Sequence, residues 1–424
     1  MSQTVNLRQH AEEAWNAEGD ASIAHIAPAS DRVLEVADGV GLLPGFGNVI
    51  TFRDDDELVL FDTGNPVTAE ISHAAIRAWS DLPLTAAFYS HGHFDHVMGL
   101  APFDAEPGPR TQVIAQERVR DRFERYALTA GYNAVINQRQ FQIPDLQWAT
   151  EYRQPDVTFR DAMTVTRAGF TFDLFHAEGE TDDAAVAYVR EHRLLLPGDM
   201  FIWLAPNCGN PQKVQRFPRE WAIALRRMAS LGAEIMAPSH GVPIFGADRI
   251  EQVLLETAEW LESIVEQTLE MMNAGARLDD IVATVRPPAH LASRSYLAPK
   301  YDEPEFIVRN LWRRYGGWYD GNPARLKPAT DAELARSVAA MAGGARVVAD
   351  EALRLLKDGD LRLAAQLAEM ATQADPDDAD LHVARAEVYA ARAEAEESLM
   401  AKGVYAWAAS ESRARAPQES PDAG

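Results

Sequence analysis

Hydrophobic and polar positions change their spacing along the chain, and the change predicts two kinds of structure. From residue 33, brief β-rich runs such as "VLEVADGVGLLPGFGNVITF" and "ELVLFDTG" are separated by Gly, Asp and Pro, which predicts strands joined by turns. "ISHAAIRAWSDL" and "REWAIALRRMASLG" have helical spacing, whereas further strand candidates are "LTAAFYS", "TQVIA", "FTFDLFHA", "AAVAYV", "RLLLPG" and "EIMAPSH". Strands that alternate with helices predict an α/β layered core from about 30 to 250.

After residue 250 the chain consists largely of helix formers. "DRIEQVLLETAEWLESIVEQTLEMMNAG" predicts one long amphipathic helix that ends at a glycine. "LRLAAQLAEMATQADPDDADLHVARAEVYAARA" predicts two helices around an Asp-Pro-Asp-Asp turn, a tetratricopeptide-type hairpin that is too short to be a repeat array. We therefore predict four parts: a lead-in with a short helix (1–30), an α/β domain (31–285), a helical domain (286–413) and a flexible tail (414–424).

Composition and charge narrow the possible partners. The 424 residues are 47% hydrophobic and 25% charged, as in a soluble globular protein, and the net charge of −24 disfavours nucleic acid and anionic membranes. An anion site would have to be locally positive. The single cysteine, Cys208, excludes an internal disulfide, and the N-terminus has no apolar signal region. These features predict a cytoplasmic protein.

Residues 90–100, "SHGHFDHVMGL", carry His91, His93, Asp95 and His96 directly after a predicted strand. Alternate residues of an extended segment project to the same side, so His91 and His93 can bind one ion while Asp95 and His96 face a second position. Imidazole and carboxylate are ordinary ligands of zinc. A surface loop that happens to be rich in histidine is the alternative, which further donors elsewhere would argue against.

Such donors follow other predicted strands. Glu180 lies in "FHAEGETDDA", Asp199 in "LLLPGDMF" and His240 in "IMAPSHGVP". Asp62 ends the strand "LVLFDTG", and we expect it to orient a ligand imidazole. In the same turn as Glu180, Glu178 is a competing ligand, whereas we expect His176 to be packed rather than bound to metal.

The motifs HxHxDH, G-E-T, G-D and P-x-H-G, in this order over about 33–250, resemble the metallo-β-lactamase superfamily. The resemblance implies an αββα sandwich of two mixed sheets with outer helices, and a site at one edge of the sheets. It also implies two divalent metal ions, expected to be Zn²⁺, and an attacking hydroxide that bridges them. Asp95 and Asp199 are the carboxylates expected to act in catalysis. The implied ligands are His91, His93 and Glu180 for one ion, Asp95, His96 and His240 for the other, and Asp199 between them.

One position departs from the usual superfamily pattern. Most members have a histidine in a GHT turn where this chain has Glu180, and a glutamate there resembles the alkyl sulfatase branch. The third carboxylate makes the site nearly neutral overall and the metal a somewhat weaker Lewis acid.

The segment "EPEFIVRNLWRRYGGWYDGNPARLKP", residues 303–328, resembles the start of the dimerisation domain of alkyl sulfatases. This likeness implies a homodimer formed through the helical domain. The residues alone predict only an aromatic patch that packs the helical domain onto the α/β domain, formed by Trp312, Trp318 and Tyr319. Because the helices stop near 413, we expect the additional lipid-binding-type domain of those enzymes to be absent.

The stretch "FIWLAPNCGNPQKVQRFPREW" replaces the Asn-x-Tyr-Thr-x-Arg-Gly pattern that alkyl sulfatases use near the sulfate. Asn207, Gln212, Lys213 and Arg216 are candidate contacts for an anionic substrate, and polar loop residues are the alternative interpretation. We predict a loop at 125–150 that lines a pocket for an alkyl chain or covers the core.

Together these features predict a dinuclear metallohydrolase of an ester, in the first place an alkyl sulfate. Cys208 has no neighbouring base, so an inert thiol is expected, and no glycine-rich nucleotide motif is present. A lactone, thioester or phosphodiester remains an alternative substrate, and a degenerate site on a protein-interaction scaffold is an alternative function. A redox di-iron centre is disfavoured, because that use of the fold usually lacks a histidine at the position of His96.

Overall fold

The computed structural model describes residues 6–17 and 30–416. Helix α1 (Leu7–Asn16) lies within the predicted lead-in, and the Asn6 side chain caps it by accepting a hydrogen bond from the Gln9 N–H (3.2 Å). The rest of the lead-in up to residue 29, and the predicted tail beyond 416, lie outside the described residues.

The first sheet has seven strands that follow one another in chain order. The early neighbours are antiparallel hairpins, and the later pairs are parallel. Parallel neighbours need a crossover, which helix α2 (Ala69–Trp79) supplies between the fourth and fifth strands. The strands are β1 (Leu34–Ala37), β2 (Val40–Leu43), β3 (Val49–Arg53), β4 (Leu58–Phe61), β5 (Leu84–Phe88), β6 (Gln112–Gln116) and β7 (Val157–Phe159).

Much of the predicted loop at 125–150 is helical. Val119, Phe123 and Tyr126 are buried at helical spacing, although the residues between them are mostly charged. The loop prediction is therefore wrong as far as residue 141. In the helix that contains Phe123 the apolar stripe is narrow and lies among charged residues, and in the helix that follows it most buried positions are polar. The helices of this region are α3 (Phe94–Val97), α4 (Ala101–Asp104), α5 (Val119–Leu128) and α6 (Ala130–Phe141).

The second sheet has six strands in the order β13-β12-β11-β10-β9-β8. Its neighbours are antiparallel except β11 and β12, which are parallel and are connected through helix α7 (Pro218–Ala229). The strands are β8 (Ala162–Arg167), β9 (Phe170–His176), β10 (Ala185–Val189), β11 (Leu194–Leu196), β12 (Ile235–Met236) and β13 (Ile244–Phe245).

The two sheets pack face to face through buried aromatic rings. Phe172 of β9 lies 4.9 Å from Phe52 of β3 and 4.8 Å from Phe88 of β5, measured between ring centroids. Burial of such rings contributes strongly to core stability. The predicted α/β sandwich is confirmed, and further helices follow its last strand: α8 (Ala247–Asn273), α9 (Leu278–Thr284) and α10 (Pro304–Gly316).

The remainder of the described chain is helical, as predicted. Asp378 caps the second helix of the predicted hairpin by accepting a hydrogen bond from the Asp380 N–H (3.0 Å). Gly403 lies so close to the Gln140 carbonyl that any side chain there would collide with it. The helices are α11 (Asp331–Ala342), α12 (Ala345–Asp358), α13 (Leu361–Ala374), α14 (Ala379–Ala395) and α15 (Leu399–Arg413).

The described residues form two compact units. One contains the chain up to residue 130 together with 149–318, and the other contains 131–148 together with the chain from 319. The predicted domain boundaries at 31, 286 and 414 remain predictions. Among the helices of residues 6–17 and 30–416, none combines the length and apolar composition that crossing a bilayer requires.

Candidate metal centre

A buried aspartate connects the loops that follow three strands. Asp62, directly after β4, adopts a left-handed backbone conformation (φ 58°), which is uncommon for a residue other than glycine. Its carboxylate accepts hydrogen bonds from the Ser90 N–H (2.7 Å) and hydroxyl (2.8 Å), after β5, and from the Ser239 hydroxyl (2.7 Å), after β12. These bonds fix the loops that carry His91 and His240.

Four side chains from the loops that follow β5, β9 and β11 form what we term the first donor cluster: His91, His93, Glu180 and Asp199. His91 Nε2 lies 2.8 Å from His93 Nδ1 and 3.7 Å from Asp199 Oδ2. The carboxylate of Glu180 lies 3.7 Å from His93 Nδ1. One potential ligand atom from each residue lies within 4.8 Å of the others, so the cluster can hold a metal ion.

Asp95, His96 and His240 form the second donor cluster. Asp95 Oδ2 lies 3.4 Å from His96 Nε2 and 3.5 Å from His240 Nε2. Asp199 Oδ2 lies 3.6 Å from His96 Nε2 and 3.2 Å from His240 Nε2, as well as near His91 of the first donor cluster. The structure thus brings all seven predicted metal-binding side chains together, with Asp199 between the two clusters.

Hydrogen bonds set the orientation of two imidazoles. Ser90 gives its hydroxyl hydrogen to Asp62, so its oxygen accepts from His91 Nδ1 (3.0 Å) and leaves the lone pair of His91 Nε2 directed into the site. His96 Nδ1 donates to Asp62 (2.9 Å), which directs Nε2 of His96 into the site. Asp62 therefore has the orienting role that the sequence predicts.

The donor atoms fit a divalent cation. Within the described part of the chain, the buried atoms His96 Nε2 and Asp199 Oδ1 have no hydrogen-bond partner. Buried polar atoms are normally paired, and a cation would satisfy both. Imidazole nitrogens with carboxylate oxygens are the donor set that zinc and similar ions take.

The pKa values of both histidines in the first donor cluster are lowered, which favours the neutral imidazole that binding of a metal ion requires. Burial and the adjacent His96 lower the pKa of His91 to about 4. Burial and His91 also lower the pKa of His93.

Protons balance the carboxylates elsewhere in the site. Although burial opposes it, Asp199 and Asp95 raise the pKa of His240 to about 9. Burial raises the pKa of Glu180 to about 8, even though Arg216 lowers it. A cation would take the place of these protons, so metal binding should release them.

The other histidine and glutamate candidates near Glu180 face different partners. Glu178 accepts a hydrogen bond from Arg118 (2.7 Å), and His176 Nε2 donates to the Asp182 carbonyl (2.8 Å). Neither belongs to a donor cluster. Burial raises the pKa of the Cys208 thiol well above its usual value, which agrees with the expected inert thiol.

The four predicted substrate contacts divide into two pairs. The amide of Asn207 and the guanidinium of Arg216 both donate to Glu180, one to its carboxylate and the other to its backbone carbonyl. Arg216 Nη1 also lies 3.2 Å from the Glu180 carboxylate. Gln212 and Lys213 are half-buried on the same loop, and burial together with Arg216 lowers the pKa of Lys213 to about 7.

Sequence reasoning missed a further support of the histidine loop. Asp183 accepts hydrogen bonds from the Gly92 N–H (2.9 Å) and from Arg122 Nε (2.7 Å), so it fixes the backbone between His91 and His93. A side chain at Gly92 would meet Arg122 and Asp183. The run "TDDA" after Glu180 was the available signal, since two adjacent aspartates rarely stay near a buried loop without partners.

Comparisons with known proteins agree with this architecture. Residues 42–240 match the family described as the metallo-beta-lactamase superfamily, and residues 277–415 match the family described as alkyl sulfatase dimerisation. A linear primary-alkylsulfatase from Pseudomonas sp. is 29% identical over 347 residues, which cover 76% of this chain and 65% of that protein. An alkyl/aryl-sulfatase from Saccharomyces cerevisiae is 23% identical over 378 residues, covering 81% and 58%. The chain thus spans about two-thirds or less of the length of these relatives.

A solved structure shows the same fold. The stereoselective inverting sec-alkylsulfatase from Pseudomonas sp. superposes with a TM-score of 0.82 at 24% identity, over 93% of this chain and 67% of that one. The sandwich with its donor loops therefore has the fold of that structure, and it includes the residues that match the metallo-beta-lactamase superfamily. The segment that matches alkyl sulfatase dimerisation follows it in the chain, and the relatives are alkylsulfatases, as the sequence motifs predicted.

Proposed function

We propose that this protein is a dinuclear metal-dependent hydrolase whose substrates are alkyl sulfate esters. The observation that carries the proposal is the convergence of two donor clusters on Asp199. The names of the relatives support the choice of ester, since they are alkylsulfatases.

Each donor cluster would hold one divalent ion, and the nitrogen and oxygen donors suit Zn²⁺. Two neighbouring divalent ions supply a water-derived nucleophile near neutral pH and stabilise charge that develops on the leaving oxygen. The chain's own contribution is to hold the seven ligands and to keep water and substrate oriented between the two clusters.

Asp95 and Asp199 provide negative oxygens on the inner surface of the site. Although burial opposes it, His96 and His240 lower the pKa of Asp95 to about 2. His240 and His96 likewise hold the pKa of Asp199 below its usual value against the effect of burial. Both carboxylates are ionised at neutral pH, so they can accept hydrogen bonds from the attacking water and orient it.

A local cluster of cations supports an anionic substrate in this acidic protein. Burial and Arg216 lower the pKa of Lys213 to about 7, whereas its electrostatic interactions with Glu180 and Asp95, one residue of each donor cluster, raise it. Arg216 also lowers the pKa of Arg313, after burial. This local positive field suits a sulfate group, and Lys213 with Gln212 are the proposed contacts.

We further infer a cytoplasmic homodimer. The match of residues 277–415 to the alkyl sulfatase dimerisation family supports the dimer, and the buried single cysteine suits a reducing compartment. Light scattering should give twice the chain mass of 46.8 kDa. A mass of one chain at working concentrations would contradict the dimer.

The direct test is sulfate release from a medium-chain alkyl sulfate, with a lactone, a thioester and a phosphodiester as parallel substrates. We expect sulfate release, its loss after chelation and its return with zinc. Full activity after complete metal removal would contradict the metallohydrolase. Metal-dependent turnover of another ester alone would contradict the assigned substrate, and a purified protein that binds no metal would favour the scaffold.

A further inference from the structure

The two carboxylate oxygens of Glu180 face different parts of the protein. Oε1 accepts a hydrogen bond from the Asn207 amide and lies 3.2 Å from Arg216 Nη1. Oε2 lies 3.7 Å from His93 Nδ1 of the first donor cluster. The side chains of Glu180 and Arg216 are only 6% and 2% exposed, so their charges have little access to water. When Glu180 is ionised, as binding of a metal ion requires, Arg216 therefore compensates its charge and fixes which oxygen faces the metal position.

Arg216 is itself held by a residue of α10. The Asn310 side chain accepts a hydrogen bond from the Arg216 N–H (3.3 Å) and donates to the Arg216 carbonyl (3.1 Å). It also donates to the Cys208 carbonyl (2.9 Å). Asn310 is 4% exposed, so no solvent competes for these bonds. One side chain thus fixes both ends of the loop that carries the partners of Glu180.

A second contact joins the same two segments. The Gly209 N–H donates to the buried carboxylate of Asp302, which also accepts from the Glu303 N–H (2.8 Å). Gly209 lies against the backbone of Ile307, and any side chain at Gly209 would collide with it. The close approach of these backbones leaves the loop little freedom to move away from α10.

We propose that Asn310 and Arg216 are positioning residues that orient Glu180 and thereby set the metal affinity of the first donor cluster. The inference rests on the proposed two-metal function. Residues 302–310 lie in the region matched to alkyl sulfatase dimerisation, and the inference gives them a part in building the metal site. The second donor cluster has its own support in Asp62, so loss of Arg216 should weaken one metal position and not both.

The test is zinc binding measured by competition with a chromophoric chelator, with metal content determined after dialysis at fixed free zinc. The wild type should bind two ions, and Arg216→Met should retain one while the other binds about 10- to 100-fold more weakly, as for lost partners of metal ligands. Asn310→Ala should weaken the same ion by a smaller factor. Arg216→Lys, which keeps a cation, should fall between Arg216→Met and the wild type.

Arg392→Met is the matched control. Arg392 is a buried arginine that pairs with a glutamate, Glu396 (2.5 Å), within the other compact unit. The Arg392→Met protein should retain two ions with wild-type affinity.

A charge exchange provides the sharpest comparison. A neutral imidazole is an ordinary zinc ligand and needs no cation beside it. Glu180→His alone leaves Arg216 buried without its carboxylate and should bind the ion poorly, whereas Glu180→His combined with Arg216→Met should bind it more tightly than Glu180→His alone.

Thermal unfolding establishes that each variant is folded before its metal content is compared. Folded Arg216→Met protein that binds both ions as the wild type does would overturn the inference and leave the proposed function intact. An Arg216→Met protein that binds both ions equally more weakly than the wild type would also overturn the inference. Wild-type protein that binds no metal would instead contradict the proposed function.

Discussion

The first and second donor clusters offer the same kinds of atoms to a metal ion, but different parts of the chain support them. In the second donor cluster, Asp62 follows the strand beside that of His96 and orients its imidazole directly (2.9 Å). In the first donor cluster, Glu180 depends on Arg216, whose backbone is held by Asn310, 94 residues further along the chain.

The difference in support follows from the charge of the side chain that is supported, which is His96 in the second donor cluster and Glu180 in the first. A neutral imidazole needs one hydrogen-bond acceptor to fix its tautomer, and a short-range partner supplies it. A buried carboxylate needs a counter-charge and further donors, because an uncompensated charge in a buried site is costly. A glutamate ligand therefore requires a larger supporting structure, which here extends to α10.

Replacing Asp199, which lies between the two clusters, should have the largest effect. Asp199→Ala removes the carboxylate between the clusters, so we expect loss of both ions at working zinc concentrations and loss of hydrolysis by about 1,000-fold or more. Metal content and sulfate release measure the two effects. Glu178→Gln, in the same turn as Glu180 but paired with Arg118, is the control and should change neither. Two tightly bound ions in Asp199→Ala would contradict the shared position.

Asp62→Asn should weaken the second donor cluster more than the first, because Asp62 contacts His96 directly but reaches His91 only through Ser90. The amide keeps the size of the carboxylate but removes the charge that orients His96, so we expect about 10- to 100-fold weaker binding of one ion. Chelator competition measures the affinity. If the two supports act separately, the losses in Asp62→Asn and Arg216→Met should add in the double variant. A double variant no weaker than either single variant would show that the clusters share one support.

The remaining prediction concerns folding stability rather than metal binding, through the contact between Asp302 and Gly209. Burial raises the pKa of Asp302 from 3.8 to about 7, so the folded protein binds a proton here that the unfolded chain has released. Binding of this proton to Asp302 stabilises the folded protein. The contribution to the unfolding free energy is complete below pH 3.8 and is lost as pH rises through about 7.

Asp302→Asn should therefore flatten the pH dependence of the unfolding free energy between pH 4 and 7, by at most about 1.4 kcal/mol per pH unit. Urea denaturation at several pH values measures it. Asp145→Asn, an exposed position, is the control. An unchanged slope in Asp302→Asn would mean that this carboxyl does not titrate with folding.

Local sequence was sufficient for much of the fold and for the residues that form the two donor clusters. Glycine and proline punctuate the β-rich runs, and the long apolar period of α8 is unambiguous, so these elements were predicted. The edge strand β8 was missed because half-buried positions alternate with exposed ones, which gives no apolar run. The donor residues were found because each follows a strand within a recognisable motif.

The support of Glu180 was not predictable in the same way. The sequence makes Asn207 and Arg216 candidate substrate contacts or polar loop residues, because a polar side chain in a loop gives no local sign of its partner. Their contacts with Glu180 depend on the packing of the loop against α10. The role of Asn310 likewise depends on a contact between distant segments, which residue types and spacing do not encode.

Anomalous diffraction at the zinc edge, from crystals of the zinc-loaded protein, tests the central claim most directly. We expect two peaks per chain, one bound by His91, His93 and Glu180 and the other by Asp95, His96 and His240, with Asp199 in contact with both. The absence of a peak at either cluster, or a zinc ion that Asp199 does not touch, would contradict the dinuclear site.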